Sequence, residues 1–147
     1  MDRVELAPTQ AIRHRQGMNG PPPSPSGHAN SWMPEIEIRL KGQSQEVVAI
    51  AYLDEAEEML ALRLSSDGAQ GEVRLPLRDI LRDVLDKDPA AIVLAHNHPS
   101  GDARPSASDR QATQALCAML RPLGVSVADH IILTGDERIS FRDLGLL

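Results

Sequence analysis

Most of the residues in this chain that could do chemistry lie in one stretch, His96-Asn97-His98-Pro99-Ser100-Gly101-Asp102-Ala103-Arg104-Pro105-Ser106-Ala107-Ser108-Asp109. His96 ends the apolar run AAIVLAH at 90–96. Residues i and i+2 of a strand point to the same face, so His96 and His98 present two imidazoles side by side, a ready pair of metal ligands. Pro99, Gly101 and Pro105 then turn the chain into a helix whose first turn carries Asp109. A carboxylate there supplies a third ligand and leaves a fourth position for water, the pattern of catalytic rather than structural zinc. The Ser106-x-x-Asp109 spacing is also sound helix-start chemistry in its own right. Two histidines and a carboxylate would equally suit an Fe(II) facial triad, but that needs two open positions and a co-substrate pocket, and the strand-loop-helix setting argues against it.

The elements that must hold these residues are legible in the hydrophobic periodicity. AAIVLAH reads as a strand buried on both faces. Ala112, Ala115, Leu116, Met119 and Leu120 recur at helical spacing after Ser106, and Pro122 and Gly124 end that helix. Upstream, IEIRL at 36–40 alternates and reads as a strand, EVVAIAYLD at 46–54 as a β-branched strand, and EMLALRLSS at 58–66 as a third, an antiparallel start to a sheet. Leu77, Ile80, Leu81, Val84 and Leu85 follow Pro76 as an amphipathic helix stopped by Pro89. VSVADHIILTGD and RISF close the chain as strands, and His130 within the first of them reads as structural or as a support behind a ligand. The resulting order, β-β-β-α-β-α-β-β, is an α/β fold, a mixed β-sheet sandwiched by helices. Residues 1–34 carry six of the 11 prolines, including PPPSP at 21–25, and read as a disordered Pro/Gly-rich arm ahead of a folded domain at 35–147. His14 and His28, in that arm, read as solvated.

Composition bounds the function. At 147 residues with 41% apolar, the chain has material for about one domain. Its only aromatic residues are Trp32, Tyr52 and Phe141, so aliphatic packing must carry the core. No apolar stretch approaches the ~20 residues a membrane helix needs. The first residues hold no apolar leader, and the single cysteine, Cys117, excludes an internal disulfide or a Cys-rich zinc module and reads as a small buried hydrophobe. A reducing cytoplasm is the expected compartment. Residues 35–147 hold 12 Lys and Arg against 19 Asp and Glu, a balance of −7. Acidity and scarce aromatics argue against nucleic acid as a partner.

The spacing H-x-H-x7-S-x2-D, filled by His96, His98, Ser106 and Asp109, resembles the JAMM (JAB/MPN) metalloprotease motif. The longer string HNHPSGDARPSASD, with DHIILTGD and ISFRDLGLL, is similar to the bacterial RadC branch of that superfamily, over residues 44–147. The resemblance implies the JAMM/JAB fold with cytidine-deaminase-like layering, Zn²⁺ held by His96, His98 and Asp109, and Ser106 helping to stabilise a tetrahedral oxyanion. It also implies a glutamate base at the start of a strand reading E-V-x-x-V-x-x-L-D, a register that Glu46 to Asp54 fits, with Glu46 as base and Glu72 as the fallback. Glu57 and Glu58 read instead as solvating a hairpin. Two departures stand out: nothing in residues 1–43 resembles the helix-hairpin-helix-like region of full-length RadC proteins, and GAQGEVRLPLRDIL replaces the family's usual G-T start and H-P-R-E helix opening.

The function expected from these readings is a zinc-dependent metallohydrolase of the RadC/JAMM type. It would cleave an amide bond, peptide or isopeptide, in a peptide or protein substrate lying along a sheet edge. The alternative is a non-catalytic JAMM-fold binding or accessory module, linked to DNA repair only as the RadC name suggests. The sequence gives no reading of oligomeric state.

Overall fold

The centre of the sheet is built from the two most apolar strands, β2 (Val48–Leu53) and β4 (Ala91–Asn97). Both faces of β2 are buried along its whole length, as expected of a strand with helices above and below it. The computed structural model describes residues 3–6, 31–66 and 74–147. Around the central pair, β1 (Arg3–Leu6), β3 (Met59–Ser65), β5 (Ser126–Leu133) and β6 (Arg138–Ser140) complete a six-stranded sheet of order β1-β3-β2-β4-β5-β6. Only β4 and β5 run parallel; the other pairs are antiparallel. The parallel step requires a crossover, which α3 (Ala107–Leu120) supplies.

Alternation along β2 and β4 divides the core in two. Val48, Ile50 and Tyr52 of β2, with Ile92 and Leu94 of β4, pack under Ile80 and Val84 of α2 (Leu77–Lys87) and Leu116 and Leu120 of α3. The intervening Ala49, Ala51 and Ala95 face the opposite side, where α1 (Met33–Leu40) lays down Met33, Ile36 and Leu40. Three alanines on that face leave room for a helix to approach closely. The mixed sheet between helices on both faces is the expected α/β arrangement.

Two expectations are corrected here. IEIRL at 36–40 is not a strand but the C-terminal half of α1. Five alternating residues fit either period; Pro34 in the first turn, a Glu35–Arg39 pair at 3.0 Å and the Met33-Ile36-Leu40 spacing decide for helix, and Ile38 is left 70% exposed. The expected arm also reaches into the folded unit at both ends. Arg3–Leu6 pairs with β3, and Trp32 and Met33 are buried against the sheet, so ordered structure begins before residue 35. The remainder of the arm, with His14 and His28, lies outside the described residues, as does Glu72. The observed order is therefore β-α-β-β-α-β-α-β-β. Cys117 packs partly buried against the α2/α3 side of the core, as its neighbours suggested.

Among the described residues no helix is long and apolar enough to cross a membrane.

Candidate metal centre

The register of the sheet brings the expected residues together. Val48 pairs with His96, so two residues upstream Glu46 lies across from His98 at the open end of the sheet. His96 is the sixth residue of β4 and has no solvent exposure; His98 stands just past the strand end. Both belong to the face that α3 covers, and Asp109 enters from the first turn of α3. One ligand atom from each of Glu46, His96, His98 and Asp109 lies within 4.8 Å of all the others. His96 Nε2 is 2.8 Å from His98 Nε2 and 3.2 Å from Asp109 Oδ1, and His98 Nε2 is 3.4 Å from Asp109 Oδ2. Donors about 2.0 Å from a tetrahedral metal stand about 3.3 Å from one another. The two histidine–Asp109 separations match that value, the two imidazole nitrogens stand closer, and Glu46 Oε1 stands slightly farther off, 3.8 Å from His96 Nε2.

What a metal supplies here follows from hydrogen bonding. The Nδ1–H of His98 donates to the backbone carbonyl of Asp102 at 2.6 Å, which leaves Nε2 as a bare lone pair. Nδ1 of His96 is likewise engaged from behind, 2.9 Å from Nε2 of His130. Two imidazole nitrogens and two carboxylates thus converge with no neutral donor between them, an arrangement of acceptors that only a cation completes. The donor set, two imidazoles and a carboxylate with a second carboxylate alongside, fits zinc. Without a metal, protons take the cation's part. The hydrogen bond to Asp109, opposed by desolvation, raises the pKa of His98. Burial would push the Asp109 carboxyl up, yet its hydrogen bonds with His96 and His98 outweigh this and hold it far below the usual range.

Local structure orients each ligand. Ser106 and Asp109 form a reciprocal capping box: Asp109 N–H donates to Ser106 Oγ at 3.0 Å, and Ser106 N–H donates to Asp109 Oδ2 at 2.7 Å. The capping box and the candidate metal site therefore share one carboxylate, because the cap orients Asp109 toward the histidines. Ser106 Oγ accepts in that box and keeps its own O–H to donate. The loop after His98 folds on itself: Gly101 N–H donates to His98 O, Gly101 sits at φ +84°, where a side chain is strained, and Arg104 pairs with Asp102 at 2.6 Å.

Sequence reasoning missed Asn97. By alternation it points away from its two histidine neighbours, toward the α1 side. There its Oδ1 accepts from Val47 N–H at 2.7 Å, and its Nδ2 donates to the carbonyls of Gln45 at 2.9 Å and Gln43 at 3.4 Å. These bonds tie the segment that carries Glu46 to the strand that carries the histidines. The alternation itself was the available signal. Beside them, on the α1 side, a cleft of about 340 Å³ opens next to His98, between Leu40 and Gln43 on one wall and Leu133 and the β5–β6 turn on the other. Glu57 and Glu58 lie in the turn at the far end of β2 and take no part.

The C-terminal string similar to RadC proteins serves the same centre. Asp129 accepts from the backbone N–H of His130 and of Arg142 and from the hydroxyl of Ser140, and Phe141 stacks on His130 at 4.2 Å. Burial holds His130 down to about 3, a neutral ring.

A mixed sheet between helices, with a histidine-carboxylate centre at the C-terminal end of its middle strand, defines an α/β protein of JAMM type with a candidate metal site. The comparison with known families agrees: the model of the RadC-like JAB domain matches residues 28–146, and the chain belongs to that family. It is 35% identical over 112 residues to a UPF0758 protein of Polaromonas sp. (strain JS666), covering 76% of this chain and 50% of that protein. It is 32% identical over 119 residues to UPF0758 protein YfjY of Escherichia coli (strain K12), covering 81% and 72%. A UPF0758 protein of Vibrio cholerae serotype O1 is 32% identical over 112 residues, covering 76% and 70%. The chain spans about half the length of relatives such as the Polaromonas protein.

Proposed function

We propose that this protein is a zinc-dependent hydrolase of amide bonds, peptide or isopeptide, with His96, His98 and Asp109 as metal ligands and Glu46 as general base. The observation that carries the reading is the convergence of one ligand atom from each of two histidines and two carboxylates within 4.8 Å of one another. A metal held there supplies Lewis-acid activation of water for attack on a carbonyl carbon. Glu46, its side chain 13% exposed and 3.8 Å from His96, takes the water's proton in this reading and returns it to the departing amine. Ser106, the N-cap of α3, keeps its O–H free to donate, and in this reading it serves the oxygen that gains charge. The cleft beside His98, with Leu40 and Leu133 on opposite walls, suits an extended peptide. With one cysteine, the chain suits a reducing cytoplasm.

Metal analysis of the purified chain by mass spectrometry tests the first half of this reading. About one zinc per chain is expected, and none in the His96→Ala, His98→Ala double variant. Glu46→Gln tests the second: zinc is retained while cleavage of peptide and isopeptide substrates is lost. Turnover unaffected by Glu46→Gln would remove the glutamate from the mechanism. Zinc bound without turnover of any amide substrate would favour a binding module instead.

A further inference from the structure

His98 has a backbone carbonyl behind it, whereas His96 has a second imidazole. His96 sits inside a strand, where neighbouring carbonyls are committed to the sheet ladder, so a side chain must do the work that Asp102 O does for His98. The side chain is His130, fully buried on the adjacent parallel strand, with Nε2 2.9 Å from His96 Nδ1. On the far side of its ring, His130 Nδ1 lies 2.6 Å from Thr113 Oγ1. Thr113 follows Asp109 by one helical turn and is also buried, and its hydroxyl donates to the Asp109 backbone carbonyl at 2.8 Å.

This chain of contacts has a direction. A hydroxyl has one hydrogen; with that hydrogen on Asp109 O, Thr113 Oγ1 accepts from His130 Nδ1–H. The enclosed ring then carries its single proton on Nδ1, and its bare Nε2 accepts from His96 Nδ1–H. His96 Nε2 is left facing Asp109 and His98, the nitrogen a metal would take. We infer that Thr113 and His130 form a positioning relay, anchored on the main chain of one metal ligand, Asp109, that fixes the tautomer and ring plane of another, His96, in the metal-binding form. The inference rests on the metal reading of the site proposed above. Phe141 stacked on the His130 ring and Asp129 on its backbone N–H keep the relay from turning, which gives the C-terminal tail a part in the centre. A partner that polarises the distal nitrogen of a ligating histidine changes metal affinity by about 10- to 100-fold.

The test uses the full chain, with Thr113→Val as the isosteric break and Thr113→Ser as its rescue, since removal of the buried His130 ring risks the fold. Imidazole ¹⁵N–¹H correlation spectra of the metal-free protein read the tautomer directly. His96 is expected to carry its proton on Nδ1 in the wild type and in Thr113→Ser, and to distribute it over both nitrogens in Thr113→Val. Zinc affinity, measured by competition with a chromophoric chelator, should fall at least about tenfold in Thr113→Val and return to within about twofold of wild type in Thr113→Ser. A wild-type His96 that carries no proton on Nδ1, or a Thr113→Val protein that binds zinc as tightly as wild type, overturns the relay. A wild type that shows the expected tautomer but takes up no zinc supports the hydrogen-bond direction and overturns the metal reading on which its purpose rests.

Discussion

Asn97→Ala removes a clamp rather than a ligand, and its effect can be worked from three hydrogen bonds. In the native protein the Asn97 side chain accepts from Val47 N–H and donates to the carbonyls of Gln45 and Gln43. The two short bonds contribute about 1 kcal/mol each and the 3.4 Å bond less, so the segment 43–47 loses about 2 kcal/mol of local stability. That raises the population of its open state about 30-fold, at 1.4 kcal/mol per factor of ten. Hydrogen exchange followed by mass spectrometry should show faster exchange in a peptide covering Gln43–Val48, while peptides from β5 change little. The metal ligands keep their own supports, so zinc content should remain at about one per chain. Glu46 loses its fixed distance from His96, and displacement of a catalytic group by about 1 Å costs on the order of 100-fold in turnover. Unchanged exchange at 43–48, or an equal increase across the whole sheet, would refute the clamp; loss of zinc would show that Asn97 supports the ligands rather than the base.

Two further outcomes follow from charged groups. Asp83 of α2 is buried with Arg63 at 2.6 Å, Lys87 at 3.0 Å and the Tyr52 hydroxyl at 2.8 Å; burial pushes its carboxyl up, but these three donors hold it below the usual value. Its contribution to stability is therefore complete above the ordinary carboxylate pKa and fades as pH falls through and below it. Asp83→Ala should cost about 3–5 kcal/mol in a urea titration at neutral pH without loss of zinc, and the deficit relative to wild type should narrow on acidification; a constant deficit down to pH 2 would show that the pair does not titrate with folding. Zinc binding should weaken as pH falls, beginning above the ordinary histidine value because the Asp109 hydrogen bond favours the proton on His98; affinity constant from pH 8 to 5.5 would mean that His98 is not a ligand.

The metal centre was readable in the sequence because its geometry is local. His96 and His98 share a strand face by the two-residue period, Asp109 falls in the first turn of the next helix, and the capping box that aims it is a three-residue spacing. Long periodic segments were equally legible: β2, β3, β4, α2 and α3 all lie where the apolar pattern puts them. The short ones were not. IEIRL fits both a strand and a helix; Pro34 and the Glu35–Arg39 pair favour the helix, and Met33, Ile36 and Leu40 then pack it on the alanine-lined face of β2 and β4. Arg3–Leu6 has too few residues to announce an edge strand, and its pairing with β3 exists only once the sheet is formed.

Sequence therefore determined which residues converge in the candidate metal site, since their spacing within one strand-loop-helix unit sets their separation. Tertiary structure alone decided which residues hold the ligands in place. Asn97 reaches Gln43, Gln45 and Val47 from 50 or more residues away, and His130 reaches His96 across 34. No periodicity encodes such contacts, because strand order and register bring the partners together and both are properties of the whole sheet.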